Sequence, residues 1–487
     1  MYTYEKDRLP RPIYRGHEDW IRLYDEAWQT AFQNIEYIDK PGWKPQLTCM
    51  PGGGTIWQWD SCFMTFITNY SNGTLSALNN LDNLYRLRNK QTGFMAMAYN
   101  TRLEKETYPG RINPPLMAWA EWEHYRITGD QSRFEDVLPA LEGVYGYIEN
   151  NRRRNCGLYW FEDSGSSGMD NSPRAAYPCP DLDGSDVCHV DLACQQALSA
   201  RCISEICRVL GLSERQAFYA EEHKRICDLI NRYHWSEKAG WYFDFFSRGH
   251  ASERVKLINS KTAAAFWVLV CGAATGERRD RVLAHLFNEE EFYTKIPFAS
   301  LSKDDLNYDP AGGYWLGGVW PPTNYAAIHG LKENGRPELA REAAIRYLNA
   351  MCRVSEDPNY GGIWEAYAPE AYRPSMTEGG TIVRSHFVGW GGLAPITMLI
   401  ENIIGLTLNG PENTIYFRLF PESLCGLSNL RFGDNLVGME CVEYRSVRGG
   451  SVIRTEAEKP FTLVVKTNYN WDPVTLEVEP GTHLYTV

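Results

Sequence analysis

The chain has 487 residues and a formal net charge of −12, with 44% hydrophobic and 23% charged residues, an ordinary balance for a globular protein of one large and one smaller domain. No Lys/Arg run is long enough to form an electrostatic stripe, which argues against nucleic acid or an anionic membrane as partner and leaves a neutral small molecule as the natural ligand.

Helical spacing opens the chain: Trp20, Leu23, Ala27, Ala31 and Ile35 fall on one face of a helix from about 17 to 38. It recurs at about 59–70, 74–88, 114–128, 131–152, 187–211, 213–235, 259–275, 277–287, 321–334, 336–354 and 388–405. These twelve form six successive pairs, and the segments between them alternate short turns with long loops rich in Gly, Pro and Trp. Six helical hairpins in a row predict a mainly α fold, an (α/α)6 barrel over residues 1–405, with the long loops gathered at one end to build a site.

The longest apolar run, Thr262 to Ala274, is too short to cross a bilayer and reads as a buried helix. After Gly405 the period becomes two, at Thr414–Leu419, Leu436–Val447, Ser451–Thr455, Phe461–Lys466 and Val474–Val478, with Gly449-Gly450 as a hairpin turn. Residues 406–487 are therefore expected to form a small C-terminal β-sandwich that caps or stiffens the helical domain.

Missing motifs narrow the chemistry. Gly52-Gly53-Gly54 is followed by neither the Lys-Ser/Thr of a phosphate loop nor the last Gly of a dinucleotide fingerprint. The ten histidines form no His-Glu-x-x-His pair and the 13 cysteines no Cys-x-x-Cys, so no zinc site is expected. Ser164–Gly168 does not fit the nucleophile elbow of serine hydrolases. Asp181–Asp186 resembles a calcium loop only loosely, with Leu192 where the bidentate Glu belongs, and reads as a solvated turn. The odd, irregularly spaced cysteines, and an N-terminus without a basic segment leading into an apolar core, point to reduced thiols and a cytoplasmic location.

Trp 16, Tyr 29 and Phe 19 make the chain rich in rings, which serve a large helical core or a sugar pocket, since aromatic faces pack on the C–H faces of sugars. Two acidic residues stand in Gly/Pro/aromatic segments: Asp170 in Ser-Gly-Met-Asp-Asn-Ser-Pro-Arg, and Glu365 in Gly-Gly-Ile-Trp-Glu-Ala-Tyr. Each alone could be a turn cap or a surface carboxylate. Together they suit glycosidic cleavage, in which one carboxyl protonates the leaving oxygen and the other activates water or attacks the sugar. Trp59-Asp60, Asn113-Pro114-Pro115, the Gly313–Tyr325 segment and Gly389-Trp390-Gly391 add polar-aromatic clusters at the starts of predicted helices.

In this order the segments resemble the trehalase-like clan of inverting α-glycosidases, closest to glycoside hydrolase family 63 and its mannosylglycerate hydrolase branch, over about 55–405. Trp59-Asp60-Ser61 is similar to a motif whose Asp binds sugar hydroxyls, Ser167–Asp170 to the segment carrying the general acid, and Trp364–Tyr367 to the loop with the general base. Tyr314-Trp315 through Asn324-Tyr325, and Phe387–Trp390, resemble the family's sugar-lining segments. Leu316 stands where the family has Arg, and Asn113 where it has Gln; Arg174 or Arg384 is the candidate replacement for the lost charge.

The resemblance implies an exo-acting, inverting α-glycosidase for a small glucoside or mannoside, with Asp170 as acid and Glu365 as base. The substrate contacts it implies are Trp59, Asp60, Asn113, Arg174, Trp315, Trp320, Asn324, Trp364 and Trp390, with no metal and no cofactor. The alternatives are a sugar epimerase or polysaccharide lyase on the same barrel, using His386 or Tyr367, and a sugar-binding protein without activity. The sugar, the aglycone and the oligomeric state stay open.

Overall fold

A computed structural model of the chain describes residues 2–174, 187–247, 256–421, 423–446, 450–467 and 472–487. Among these are twelve helices: α1 (Glu18–Gln33), α2 (Gln58–Thr68), α3 (Leu78–Leu87), α4 (Met117–Thr128), α5 (Phe134–Asn151), α6 (Val190–Val209), α7 (Ser213–Tyr233), α8 (Trp267–Val270), α9 (Gly276–Leu286), α10 (Pro321–Glu333), α11 (Pro337–Glu356) and α12 (Val388–Gly391). The last continues as a π-helical stretch, Leu393–Ile404, which ends at Gly405 in the left-handed conformation.

Burial sorts the helices into two kinds. Every residue of α2 is buried, as is nearly every residue of α10 and the first two-thirds of α6. A helix apolar all round belongs inside. By contrast α7 buries only Tyr219, Ile226 and Ile230, and α9 only Val282, Leu283 and Leu286, so each lays one stripe on the interior. The packing follows: α2 contacts α4, α4 contacts α6, α6 contacts α8, α8 contacts α10, α10 contacts α12 and its π-helical continuation, and these return to α2. The even-numbered helices thus make a closed circuit. On the outside, α7 packs on α6, α11 on α10, and α1 on α11.

Prolines start two of these helices where a missing N–H costs nothing, Pro321-Pro322 in α10 and Pro337 in α11. The apolar stretch 259–275 is shorter as a helix than its spacing predicts. A 3-10 turn, Ala263–Phe266, precedes the single α turn of α8, and Ala263 N–H donates to Ser300 O at 2.9 Å, so its start is tied to a neighbouring loop.

Beyond Gly405 the described residues contribute to two sheets. One orders Leu406–Asn409, Thr414–Leu419, Phe461–Thr467 and Val474–Val478, with its two central strands parallel. The other orders Arg11–Tyr14, Cys425–Phe432, Asn435–Glu443, Val452–Ala457 and Gly481–Thr486. Its first strand comes from the N-terminus, Tyr14 opposite Cys425 and Arg11 opposite Ser428. The hairpin expected around Gly449-Gly450 joins Asn435–Glu443 to Val452–Ala457; Gly449 itself lies outside the described residues. The loosely calcium-like Asp181–Asp186 also lies outside them.

Candidate active site

The site begins at helix starts. Trp59 and Asp60 occupy the first turn of α2, Trp320 immediately precedes α10, and Trp390 lies in α12. Together with the loops carrying Asp170 and Glu365 they enclose a cavity of about 600 Å³. Of the residues expected to bind or react, Trp59, Asp60, Asn113, Asp170, Trp315, Trp320, Glu365 and Trp390 line it. Its walls are ring against ring: Trp315 stacks on Trp320 at 4.0 Å, and Trp390 meets both Trp59 and Trp320 edge-on at 5.8 Å.

The loop bearing Asp170 is shaped by hydrogen bonds at short range. Asp163 Oδ1 accepts from Ser166 N–H at 2.8 Å and starts a 3-10 turn, Gly165–Ser167, which Gly168 ends with φ +77°. A Cβ at Gly168 would lie 2.4 Å from the Trp59 ring, so only glycine lets the indole approach. Asn113 ties the loop to α2, its Nδ2 donating to Ser166 O at 3.1 Å and its Oδ1 accepting from Trp59 N–H at 3.2 Å. Asn171, next to the acid, donates to Gly313 O at 2.9 Å and accepts from Trp315 N–H at 2.9 Å, binding the loop to the opposite wall.

Glu365 is held from three directions. Arg384 Nη1 donates to Oε1 at 2.8 Å, Tyr314 OH donates to Oε1 at 3.3 Å, and Arg384 N–H donates to Oε2 at 3.3 Å. Its own backbone is fixed by Arg384 O and by the Trp390 indole, which donates to Glu365 O at 2.8 Å. Burial pushes its pKa above the usual carboxylate range, and Arg384 opposes that rise.

Asp170 faces the cavity with its carboxyl still open to solvent; partial desolvation by the surrounding walls, followed by the negative charge of Glu365, lifts its pKa to about 6. Asp60 is buried, and desolvation raises its pKa to about 7, against the pull of the Cys49 thiol that donates to its Oδ1 at 3.0 Å. Three carboxyls with displaced pKa values thus share one aromatic cavity. Such displacement in a cleft marks a functional site.

Three expected contacts lie elsewhere. Arg174 is fully buried outside the cavity, where its guanidinium forks onto Asp191 and Asp244 at 2.7–2.9 Å; it anchors the end of the acid loop to the start of α6. Asn324 spends its amide on Phe298, accepting from the backbone N–H at 2.7 Å and donating to the carbonyl at 3.1 Å. Trp364 turns its indole N–H to Gly361 O at 2.6 Å, so it braces the base loop from behind. Of the two candidate replacements for the missing charge at Leu316, Arg384 is the one at the cavity. Cys49 and Arg111 line the cavity without any motif having singled them out, and Tyr314 and Phe387 were visible only as parts of their aromatic segments. Arg111 pairs with Asp163 at 2.6 Å.

Residues 55–379 match the profile of the mannosylglycerate hydrolase MGH1-like glycoside hydrolase domain. An uncharacterized protein of Borreliella burgdorferi is 27% identical over 471 residues, 94% of each chain. The mannosyl-oligosaccharide glucosidase of Saccharomyces cerevisiae is 24% identical over 61% of this chain, which spans 35% of that longer protein. Among solved structures, the GH63 mannosylglycerate hydrolase from Thermus thermophilus in complex with glucose superposes with a TM-score of 0.63 and 19% identity, over 77% of this chain and 100% of that one.

Proposed function

This chain belongs to the MGH1-like family of glycoside hydrolases, and we propose that within it the protein is an exo-acting, inverting α-glycosidase for a small glucoside or mannoside. The convergence of Asp170 and Glu365 in one tryptophan-walled cavity carries this reading. A volume of about 600 Å³ suits a compact ligand, and the Thermus relative was solved with glucose. We read the circuit of even-numbered helices, with the other helices packed outside it, as an (α/α)6 barrel within residues 1–405, and the two terminal sheets as a β-sandwich of residues 406–487 to which the N-terminal strand Arg11–Tyr14 is added.

Asp170, with its raised pKa, protonates the departing glycosidic oxygen. Glu365, kept available as a carboxylate by Arg384, takes a proton from a water that attacks the anomeric carbon from the other face. Trp59, Trp315, Trp320 and Trp390 form the walls, and Asp60 bonds ring hydroxyls. An epimerase or lyase reading draws no support from His386 or Tyr367: neither is among the residues that line the cavity, and the Tyr367 hydroxyl accepts from Trp364 N–H at 3.2 Å.

The test is a screen of α-linked disaccharides and glycosyl-glycerates with free-sugar detection, followed by Asp170→Asn and Glu365→Gln. Each variant should fold and lose about 10²–10⁴ in turnover. Wild-type turnover in both would refute the assignment, and a first-formed sugar of retained configuration by proton NMR would reject Glu365 as base.

A further inference from the structure

Away from the cavity lumen, Cys156 and Cys188 place their sulfurs 3.8 Å apart. Cys188 is buried in the short strand Val187–Cys188, opposite Phe245, whereas Cys156 is half-buried in a turn closed by Arg154 N–H to Leu158 O and Gly157 N–H to Arg154 O, both 2.8 Å. The two segments are joined again a few residues on: His189 N–H donates to Tyr159 O at 2.9 Å, and His189 Nδ1 accepts from Phe161 N–H at 3.1 Å. Directly after Phe161 come Glu162, Asp163, Ser164 and Gly165, all at the cavity.

We propose that Cys156 and Cys188 are a modification site, a dithiol that hydroperoxides convert to a disulfide at the root of the acid loop. Sulfurs at 3.8 Å need a side-chain rotation of under ~2 Å to reach the bonded distance of about 2 Å. Cys156 reacts first because it is the one solvent reaches. The hydrogen bond shared with Cys188 lowers the Cys156 pKa, aided by Arg154, which makes Cys156 the more nucleophilic of the two thiols.

The thiolate attacks one peroxide oxygen, the O–O bond breaks, and after protonation the products are a Cys156 sulfenic acid and one water. The Cys188 sulfur then attacks the sulfenic sulfur, the S–O bond breaks, and the thiol proton leaves with the hydroxyl as a second water. Two thiols lose two electrons and two protons, and one hydrogen peroxide becomes two waters.

The experiment treats the folded, full-length protein with a small excess of hydrogen peroxide at pH 7, with native circular dichroism as the check on fold. Two thiols should disappear in a denatured titration of the chain's 13 cysteines, and non-reducing peptide mass mapping should find a Cys156–Cys188 link that dithiothreitol reverses. In Cys188→Ser, oxidation should halt at a Cys156 sulfenic acid trapped by dimedone. Unlinked Cys156 and Cys188 peptides from peroxide-treated wild type, or a Cys156→Ser variant that loses thiols at the wild-type rate, would overturn the proposal. Neither readout depends on glycoside hydrolysis.

Discussion

Arg384 clamps Glu365 with one guanidinium nitrogen 2.8 Å from Oε1, and the two differ sharply in exposure: the carboxylate side chain is 3% exposed, the arginine 54%. A buried acid is thus kept ionisable by a charge that reaches in from the solvent side.

Removing that charge has a directional effect on pH dependence. Glu365 must be ionised to accept a proton, and Arg384 lowers the pKa that burial raises. In Arg384→Ala the acidic limb of kcat/KM should therefore move to higher pH, with activity lost mainly at low pH, and Arg384→Lys should move it back part of the way. A pH–rate profile of the three proteins tests this. An unmoved acidic limb would remove Glu365 from the base role.

Asp170 governs the other limb. A general acid works only while protonated, so with a pKa of about 6 activity should fall as pH rises past that value. The limb belongs to the coupled carboxyls as a set. A leaving group that needs no protonation bypasses the requirement. Asp170→Asn should lose far less activity on an α-glycosyl fluoride than on a disaccharide, and an equal loss on both would contradict the acid role.

Asp60 exchanges stability for its place at the sugar. Its carboxyl has a folded pKa of about 7 against 3.8 for the free group, so the folded state holds the extra proton between those values. Stability from this residue falls as pH rises through that window, and the cost is full above about 7. Asp60→Asn should raise the melting temperature by a few degrees at pH 8, and the gain should shrink toward pH 4. Thermal unfolding at the two pH values is the measurement.

Arg174 is predicted to matter for folding rather than for substrate contact. Its side chain is 0% exposed and neutralises Asp191 and Asp244, 1% and 5% exposed. Arg174→Met leaves two buried carboxylates without their cation, a loss of about 3–5 kcal/mol. Adding Asp191→Asn and Asp244→Asn should recover part of it in denaturant titrations. A single variant as stable as wild type would mean that the network contributes nothing.

Long, periodic helices were legible in the sequence because burial on one face, or on all faces, leaves a repeating apolar record. Strands were less so. Cys425–Phe432 hides its alternation behind a register shift between Leu427 and Leu430, where Asn429 takes a positive φ. Gly481–Thr486 lies at a sheet edge and mostly faces solvent, so no apolar alternation marks it. The same distinction explains the site. Asp60, Asp170 and Glu365 announce themselves through aromatic neighbours in sequence, whereas the partner that takes Arg174 away from the sugar, Asp244, lies 70 positions on. Asn324 and Trp364 sit in the right segments, yet their hydrogen bonds are spent on nearby backbone, which residue type alone does not reveal.

The strand Arg11–Tyr14 has a temporal consequence. Tyr14 meets Ser423, 409 positions later, at 3.1 Å, and the strand's pairing partner is Cys425–Phe432. On a ribosome adding ~5–20 residues per second, this early strand waits tens of seconds for the neighbour that completes it. The seam between this strand and Cys425–Phe432 is among the later parts of the molecule to close, long after the acid loop has been made.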